Sequence, residues 1–455
     1  MHQGRESFGG RFAVIMTFAG SAIGLGNLWR FPYLVGEYGG AAFIIVYILM
    51  SFLISLPMFM AESVIGRRSR QNAIGAVHSL APDSGWALLG YLSVITPMII
   101  VSYYSVVGGW SLNFLLKSFA FEFNKIGPEE SLGLFGSFIS KPWAPIICLA
   151  AFLGLSCTVV ALGVKKGIEG FSKVSLPLLF VLVVIIAIYA CSMPGAKGGV
   201  DFLIKPDFSK LTGRGIASAL GQSFYSLSLG MGIVITYSSY VSKKENLAVS
   251  SLGTAISDLL FACLAGFAIM PAVFAAGIEP NSGPGLIFQS LPYTFSKMGV
   301  GAPWASAAAA IFFFMTVLVA AMTSAISLVE VGVAYLVEEK GLRRGTASLC
   351  VFGGAFTLGV FASLSTGPIQ DLKIFGKPFF DFLDLFCSNF LLLLGGMLAV
   401  LFVGWKMKKE DVFDEFTNGG TKAFNRKIFP LVYGVIKYVA PLALAIIFFT
   451  NFLGE

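Results

Sequence analysis

Charge is the scarcest property of this sequence. Charged residues make up 12% of the 455 positions, whereas soluble domains carry about 25%. Hydrophobic residues make up 56%, and the mean hydropathy is +0.83. These values exclude a soluble globular domain and predict an integral membrane protein. The net charge of +7 is then a property of the loops and gives no support to nucleic-acid binding.

Residues that carry most metal and catalytic chemistry are also rare. The two histidines, His2 and His78, fall in the amino-terminal tail and in a loop, which disfavours a histidine-based site. The six cysteines lie in or beside apolar runs without CxxC spacing, so we interpret them as small packing residues. No GxxxxGK[ST] motif is present, which excludes ATP hydrolysis through a P-loop. The sequence therefore predicts that the protein is not an enzyme.

Long apolar runs fill nearly the whole chain. A membrane-spanning helix needs ~20 apolar residues, and about eleven runs approach or exceed that length. They leave no room for a separate soluble domain, so we expect one all-α polytopic membrane domain over residues 1–455. The runs cover residues 11–36, 40–66, 86–121, 143–162, 167–192, 215–241, 247–275, 302–337, 345–363, 379–405 and 428–453.

Lysine and arginine are unevenly distributed between the two sets of loops. If the amino terminus lies in the cytoplasm, the cytoplasmic side holds 19 of the 31 basic residues and the opposite loops hold 10. Basic loops stay on the cytoplasmic side. We therefore expect the protein in the plasma (inner) membrane, with its amino terminus inside and, after eleven spans, its carboxyl terminus outside.

The first apolar run is interrupted in its middle. Residues 19–32 read AGSAIGLGNLWRFP, which places Gly20, Gly24, Gly26, Asn27 and Arg30 at membrane depth. Backbone that leaves the helix there must be buried in protein or line a polar cavity, and a charge there marks a candidate functional site. The alternative is a GxxxG helix-packing motif, which does not explain Asn27 or Arg30.

A second interruption lies about half of a ten-helix core away. Residues 222–232 read QSFYSLSLGMG, where hydroxyls and glycines break the sixth run. Interrupted segments at corresponding positions of two halves are typical of inverted-repeat transporters. Half-helix amino termini then favour an anion, whereas unwound carbonyls supply oxygens to a cation. The two breaks together predict one anionic and one cationic ligand between them.

These motifs resemble those of the neurotransmitter:sodium symporter family. The resemblance rests on AGSAIGLGNLWRFPY followed by GGAAF, GQSFYSLSLGMGIVITYSSY in the sixth run, AAMTSAISLVE in the eighth and FFDFLDLF in the tenth. It extends along almost the whole chain and implies a LeuT-like inverted 5+5 helix repeat with broken helices 1 and 6, plus one extra carboxyl-terminal helix. The implied parts are a first repeat at 11–192, an inverted second repeat at 215–405, a cytoplasmic linker at 406–427 and an eleventh helix at 428–453.

The resemblance also implies a sodium site beside the substrate, formed by Ala22, Asn27, Ser226 and Asp258. Asp258 lies in an otherwise apolar run, where an ionised carboxylate is costly unless a cation pairs with it. The alternative is a helix-end aspartate bonded only to its neighbours. Chloride-dependent relatives are neutral in this neighbourhood, so we expect that chloride is not required.

A second sodium site is implied between helices 1 and 8. Its ligands would be the carbonyls of Gly20, Ile23 and Ala320 and the hydroxyls of Thr323 and Ser324. Hard cations take oxygen ligands of this kind. The alternative is that the two hydroxyls only bond back to carbonyls of their own helix.

The implied substrate site is an apolar pocket with a few hydroxyls. Monoamine-transporting relatives carry an aspartate at the position of Gly24, so its absence favours an amino acid that brings its own carboxylate. Tyr104 resembles the tyrosine that meets this carboxylate, and Met231 replaces a phenylalanine of leucine-type pockets. Because methionine is deformable, we expect a hydrophobic or aromatic amino acid such as leucine, methionine, tyrosine or tryptophan. The implied lining comprises Ser21, Ala22, Leu25, Gly26, Ile100, Tyr104, Tyr225, Ser226, Ser228, Met231, Ser324 and Leu328.

Two gates complete the resemblance. Arg30 and Asp384 resemble the outer gate pair. The inner gate is implied at Arg5, Phe8, Tyr240 and Glu338, although the family usually has tryptophan at the Phe8 position and aspartate at the Glu338 position. The whole pattern implies a sodium-coupled secondary active symporter that imports an amino acid by alternating access. Its partners would be that small molecule and the lipid bilayer; the alternative is an amino-acid sensor or a channel-like protein on the same scaffold.

Overall fold

The structure, a computed structural model, describes residues 6–124, 126–277, 286–298 and 303–453. Within these ranges, nine continuous helices are long and apolar enough to cross a membrane, and the bent pair Arg11–Ala22 and Gly26–Glu37 counts as a tenth span. We number the spans in chain order and call the bent pair span 1. Spans 2 to 5 are Ala41–Ser69, Ala87–Phe119, Trp143–Ala161 and Val164–Ser192; spans 7 to 11 are Leu247–Ala276, Trp304–Lys340, Arg344–Ser365, Phe379–Lys406 and Ala423–Thr450.

Span 6 is broken more severely than span 1. The predicted run at 215–241 forms two helices, Gly213–Ser226 and Ile233–Ser238, of 14 and 6 residues. Each is shorter than the ~20 residues that cross a bilayer. The eleven predicted runs are therefore present as nine continuous helices and two broken ones in the described chain.

The backbone between the halves of span 6 explains the break. Ser228, Gly230 and Gly232 have φ values of 57°, 74° and 69°, which lie in the left-handed region that a right-handed helix cannot contain. A Cβ on Gly230 would lie 2.2 Å from the carbonyl oxygen of Leu392, and one on Gly232 would lie 2.2 Å from that of Ser93. Glycine is therefore required at both positions by conformation and by space.

The helices pack with the symmetry of two repeats. The first half of span 1 packs on span 7, and the first half of span 6 packs on span 2, as exchange of the two repeats requires. The second half of span 6 also packs on span 2. Spans 3 and 4 likewise pack together and against spans 8 and 9. The broken helices thus lie between a group formed by spans 2 and 7 and a group formed by spans 3, 4, 8 and 9.

The linker after span 10 is tied to the end of span 2. It forms the helix Lys409–Thr417, whose Glu415 accepts a hydrogen bond from Arg67 Nε at 2.5 Å. Both side chains are almost fully buried. Arg67 Nη1 also donates to the carbonyl of Glu245 at 2.6 Å, and Lys243 Nζ lies 2.7 Å from the second Glu415 oxygen.

Shorter elements connect the spans. The helices are Ala73–Leu80, Pro128–Ile139, Lys197–Ile204 and Leu291–Met298. Between spans 9 and 10 lies a hairpin of two strands, Lys373–Ile374 and Lys377–Pro378, which pair antiparallel. Phe375 and Gly376 at its turn both have positive φ, as the tightest hairpin turn requires.

Candidate substrate and ion site

The breaks of spans 1 and 6 face a common cavity of about 390 Å³. The first half of span 1 ends at Ala22, and Ile23 is extended, with φ −77° and ψ 107°. All twelve residues that the sequence predicts for the substrate site line this cavity. Spans 3 and 8 complete the wall through Ile100, Tyr104 and Leu328. Gly24, already singled out from the sequence as the position of an aspartate in monoamine-transporting relatives, also lines the cavity, and sequence reasoning missed two further lining residues, Ile233 and Ser327.

Helix ends supply the polar atoms of the cavity. Carbonyls in the last turn of a helix have no partner within the helix. The Ser21 carbonyl accepts hydrogen bonds from Ser324 Oγ at 3.1 Å and from Ser228 Oγ at 3.2 Å. On the other side of the break, the Leu25 N–H donates to the Tyr104 hydroxyl at 3.3 Å. Tyr104 is thereby held with its oxygen at the start of the second half of span 1.

Asp258 is the centre of the first predicted ion site, and its side chain is 2% exposed. Its Oδ1 accepts from Asn27 Nδ2 at 2.8 Å and from Ser226 Oγ at 2.7 Å. Its Oδ2 accepts from the Tyr47 hydroxyl at 3.2 Å. No lysine or arginine of the described chain pairs with this carboxylate, so its charge is met by neutral donors alone. An oxygen-rich, acidic and buried site of this kind suits a small monovalent cation.

The structure therefore brings together Asn27, Ser226 and Asp258, and Ala22 lines the cavity beside them. Sequence reasoning missed Tyr47, because a tyrosine in an apolar run has no pattern that assigns it a polar partner. No cluster of three or more histidine, cysteine or acidic residues exists in the described chain. The donor set is thus one of hydroxyl, amide and carboxylate oxygens, which favour hard cations over transition metals.

The structure brings together part of the second predicted ion site. Thr323 Oγ1 lies 3.2 Å from the Ile23 carbonyl of span 1 and 2.8 Å from the Ala320 carbonyl of its own helix. The position of a Cβ on Gly20 is 3.7 Å from Thr323 Cβ. Span 8 therefore presents Thr323 to the unwound end of the first half of span 1, and Ser324 points to the neighbouring Ser21 carbonyl.

A larger cavity of about 860 Å³ adjoins the first. Arg30 and Asp384, the predicted outer pair, both line it but do not pair with each other in the described structure. The Arg30 guanidinium instead lies over the Tyr225 ring, 5.2 Å from its centroid. Tyr104 and Tyr225 line both cavities, so the two tyrosines form the partition between them.

The opposite end of the bundle is tightly packed around Phe8. Its ring makes edge contacts with Tyr237 and Tyr240 at centroid distances of 5.9 and 5.8 Å, and its N–H donates to the Tyr240 carbonyl at 3.0 Å. Glu338, predicted for the same gate, accepts from the Asn72 N–H at 2.7 Å. The fourth predicted member, Arg5, lies outside the described residues.

Glu62 is a buried acid that sequence reasoning did not single out. It is 1% exposed on span 2, and its Oε1 accepts the Gly230 N–H at 2.7 Å. The carboxylate thus holds the unwound segment of span 6 against span 2. The available signal was the position of one acid in the apolar run LPMFMAESVIG, where a charged group must have a partner.

Two opposed helix breaks that enclose a cavity in an apolar helical bundle define a secondary transporter built from inverted repeats. The chain belongs to the sodium:neurotransmitter symporter family, whose model matches residues 5–126 and 132–454. Its family and fold are those of secondary transporters and not of enzymes. It is an integral membrane transporter.

Similar proteins cover the chain from end to end. A sodium-dependent transporter of Bacillus subtilis, YhdH, is 37% identical over 446 residues, which are 98% of this chain and 97% of its own. A sodium-dependent transporter of Haemophilus influenzae is 36% identical over 458 residues, 98% of each chain. The crystal structure of MhsT in complex with L-phenylalanine superposes with a TM-score of 0.89 at 38% identity, over 98% of this chain and 100% of that one. The predicted LeuT-like fold with broken helices 1 and 6 is thereby confirmed.

Proposed function

We propose that this protein is a sodium-coupled symporter that imports a hydrophobic or aromatic amino acid by alternating access. The observation that carries the proposal is the cavity between the two breaks. Its walls are apolar surface and helix-end carbonyls. Ser226 of the wall donates to the buried Asp258 carboxylate directly behind it, which no basic residue of the described chain pairs with. MhsT, which is similar along the whole chain and whose crystal structure is a complex with L-phenylalanine, supports an amino acid as the ligand.

The first sodium ion would bind at Asp258 with Ser226, Asn27 and the Ala22 carbonyl. A cation there would take the place of the amide and hydroxyl donors that now meet the carboxylate. The ligand carboxylate would approach the same ion and the Tyr104 hydroxyl. Because Asp258 supplies the negative charge itself, transport would need no chloride.

The second sodium ion would bind at the carbonyls of Gly20, Ile23 and Ala320 with the hydroxyls of Thr323 and Ser324. It would join span 8 to the unwound end of span 1. Since the first ion would join Ala22 to Asn27 across the break and the second would join the unwound end to span 8, their binding would order the substrate pocket. The inward gradient and the membrane potential, at about 2.3 kcal/mol per charge per 100 mV, would supply the driving force.

The surroundings of Gly24 support an amino acid over an amine. A Cβ on Gly24 would lie 2.3 Å from Ser324 Oγ and 3.1 Å from the Tyr104 hydroxyl. An aspartate at this position, which would pair with an amine, would have to displace the Ser324 hydroxyl. With glycine here, the ligand would bring its own carboxylate.

The two ends of the bundle support an outward-facing arrangement. The Arg30 end has an open vestibule in which Arg30 and Asp384 stay apart, whereas the Phe8 end is closed by packed rings. With the amino terminus in the cytoplasm and the carboxyl terminus outside, the vestibule would face outward. Residues 11–192 and 215–405 would be the two repeats, residues 406–427 the cytoplasmic linker and residues 428–453 the added helix, all in one transporter domain.

Uptake into proteoliposomes tests this function. The purified full chain is reconstituted, and a panel of tritiated amino acids is offered with sodium or with N-methyl-D-glucamine outside. We expect accumulation above equilibrium only under an inward sodium gradient. Counterflow in preloaded vesicles identifies a carrier, whereas ion currents without counterflow would indicate a channel. Sodium-independent accumulation would contradict the proposal.

A further inference from the structure

Three serine hydroxyls meet on one wall of the substrate cavity, and each comes from a different span. Ser21 of span 1 donates to Ser327 Oγ of span 8 at 2.8 Å and lies 3.3 Å from Ser228 Oγ of span 6. Ser21, Ser228 and Ser327 are 5%, 7% and 0% exposed, and all three line the cavity. We call these three residues the serine cluster.

The hydrogens of the serine cluster are all in use. Ser327 Oγ donates to the Ser324 carbonyl at 2.7 Å, and Ser228 Oγ donates to the Ser21 carbonyl at 3.2 Å. The Ser21 hydrogen is directed to Ser327. Each hydroxyl has one donor and two acceptor lone pairs, so the donors of the cluster are exhausted.

The acceptor capacity is not exhausted. No N–H or O–H group in the described part of the chain donates to Ser21 Oγ, and Ser228 Oγ receives at most the shared Ser21 hydrogen. The cluster therefore presents lone pairs, and no hydrogens, to a ligand. A buried acceptor left without a donor is unfavourable, so a ligand that brings a donor gains most at this wall.

Among the other hydroxyls of the cavity, Ser324 and Ser226 already donate to the Ser21 carbonyl and to Asp258, and much of the remaining wall is apolar. Ile100, Met231, Ile233 and Leu328 line the same cavity and supply only apolar surface or a thioether. A ligand with an aromatic body and one donor at its end matches this combination. Phenylalanine has the body but lacks the donor.

We infer that the serine cluster selects substrates whose side chain ends in a hydrogen-bond donor, such as the phenol of tyrosine or the indole N–H of tryptophan, over phenylalanine. The inference rests on the proposed amino-acid transport. A neutral hydrogen bond of ordinary net strength corresponds to about a 3- to 10-fold preference.

A competition series separates the effect of a terminal hydrogen-bond donor on binding from the effect of ring size. Sodium-dependent binding of tritiated L-tyrosine and L-phenylalanine to the purified full chain is competed with 4-amino-L-phenylalanine, which has a terminal donor, and with 4-fluoro-L-phenylalanine, which has none. We expect tyrosine and the amino derivative to bind about 3- to 10-fold more tightly than phenylalanine and the fluoro derivative. The variant Ser21→Ala removes the free acceptor and should bring these ratios to about one.

Two further variants show whether the effect is specific to the Ser21 hydroxyl. In Ser327→Ala the Ser21 hydrogen keeps Ser228 Oγ, 3.3 Å away, as its acceptor, so the lone pairs of Ser21 stay available and the preference for donors should persist. Ser111→Ala is the matched control, because Ser111 is equally buried but bonds only to the Val107 carbonyl of its own helix. This control should keep the full preference for tyrosine and 4-amino-L-phenylalanine over phenylalanine and 4-fluoro-L-phenylalanine.

The outcomes separate this inference from the proposed function. Equal sodium-dependent binding of tyrosine and phenylalanine, or binding of other amino acids only, would overturn the inference and leave amino-acid transport standing. An equal loss for tyrosine and phenylalanine in Ser21→Ala would mean that the cluster receives the ligand ammonium group, and would also overturn it. If no amino acid binds in sodium, the proposed function itself fails.

Discussion

Replacing Asp258 by asparagine removes the one charge of the first ion site with little change in shape. The carboxylate now accepts from Asn27, Ser226 and Tyr47, and an amide in its place must turn its NH2 group toward at least one of these donors. The substitution therefore weakens the site in two ways. It removes the electrostatic attraction to the cation, and it places the NH2 group of the new asparagine against a hydrogen-bond donor of the protein.

The size of the effect follows from the Coulomb energy and its offsets. Two unit charges 4 Å apart attract by about 4 kcal/mol at an effective dielectric constant of about 20. Dehydration of the ion and the buried carboxylate cancels part of this gain. A net loss of about 1.5–3 kcal/mol, typical for bonds to charged groups, corresponds to sodium binding weakened about 10- to 150-fold.

The assay is sodium-dependent uptake of the best substrate in proteoliposomes, with sodium titrated as chloride or as gluconate. We expect Asp258→Asn to need far more sodium, and chloride to recover part of the activity by supplying the lost charge. Asp201→Asn is the control, because Asp201 lies outside the spans in an exposed pair with Lys205. Unchanged sodium dependence of the Asp258 variant in chloride-free buffer would refute the assignment.

Three further substitutions test the surroundings of the site. Tyr47→Phe deletes one donor to Asp258 and should change the sodium affinity by a few-fold, about 0.5–1.5 kcal/mol, measured in the same titration. Gly230→Ala should lower the melting temperature in detergent, because it adds about 1–2 kcal/mol of left-handed strain and a clash with a carbonyl, whereas Gly221→Ala in open space should not. Glu415→Gln leaves the buried Arg67 without its counter-charge and should cost about 3–5 kcal/mol; an unaltered melting temperature would show that the pair contributes nothing.

Much of the fold was accessible from local patterns. Charge depletion and run length predict the spans, because a bilayer accepts few charges and sets a minimum helix length. The two breaks were visible because glycine and hydroxyl residues interrupt apolar runs at corresponding positions. The break in span 6 was recognisable even in detail, since Gly230 and Gly232 are the residues that a left-handed backbone requires.

Only those site residues that belong to motifs shared with the family could be predicted from the sequence. All twelve predicted pocket residues line one cavity, and the side chains of Asn27, Ser226 and Asp258 are hydrogen-bonded to one another. Tyr47 and Ser327 could not be found, because hydroxyl groups in apolar helices usually bond to their own backbone. Whether such a group instead faces a cavity depends on how helices far apart in sequence rotate against each other.

Span 2 links these features at three depths along its length. Tyr47 donates to Asp258 at the ion site, Glu62 holds the Gly230 N–H at the break, and Arg67 pairs with Glu415 of the linker. Each contact is buried, so each would leave an unsatisfied polar group if span 2 moved alone, at about 1–3 kcal/mol or more per group.

The contact between span 6 and span 8 at the Phe8 end is of a different kind. Tyr240 donates to the buried Glu330 of span 8 at 2.7 Å, but Glu330 also pairs with Arg344 of span 9. Loss of the Tyr240 bond therefore leaves this carboxylate with its counter-charge. A rearrangement relative to spans 3, 8 and 9 keeps every buried charge of these contacts paired or hydrogen-bonded if span 2 moves together with span 7, the unwound segment and second half of span 6, and the linker helix Lys409–Thr417. Movement of span 2 by itself does not.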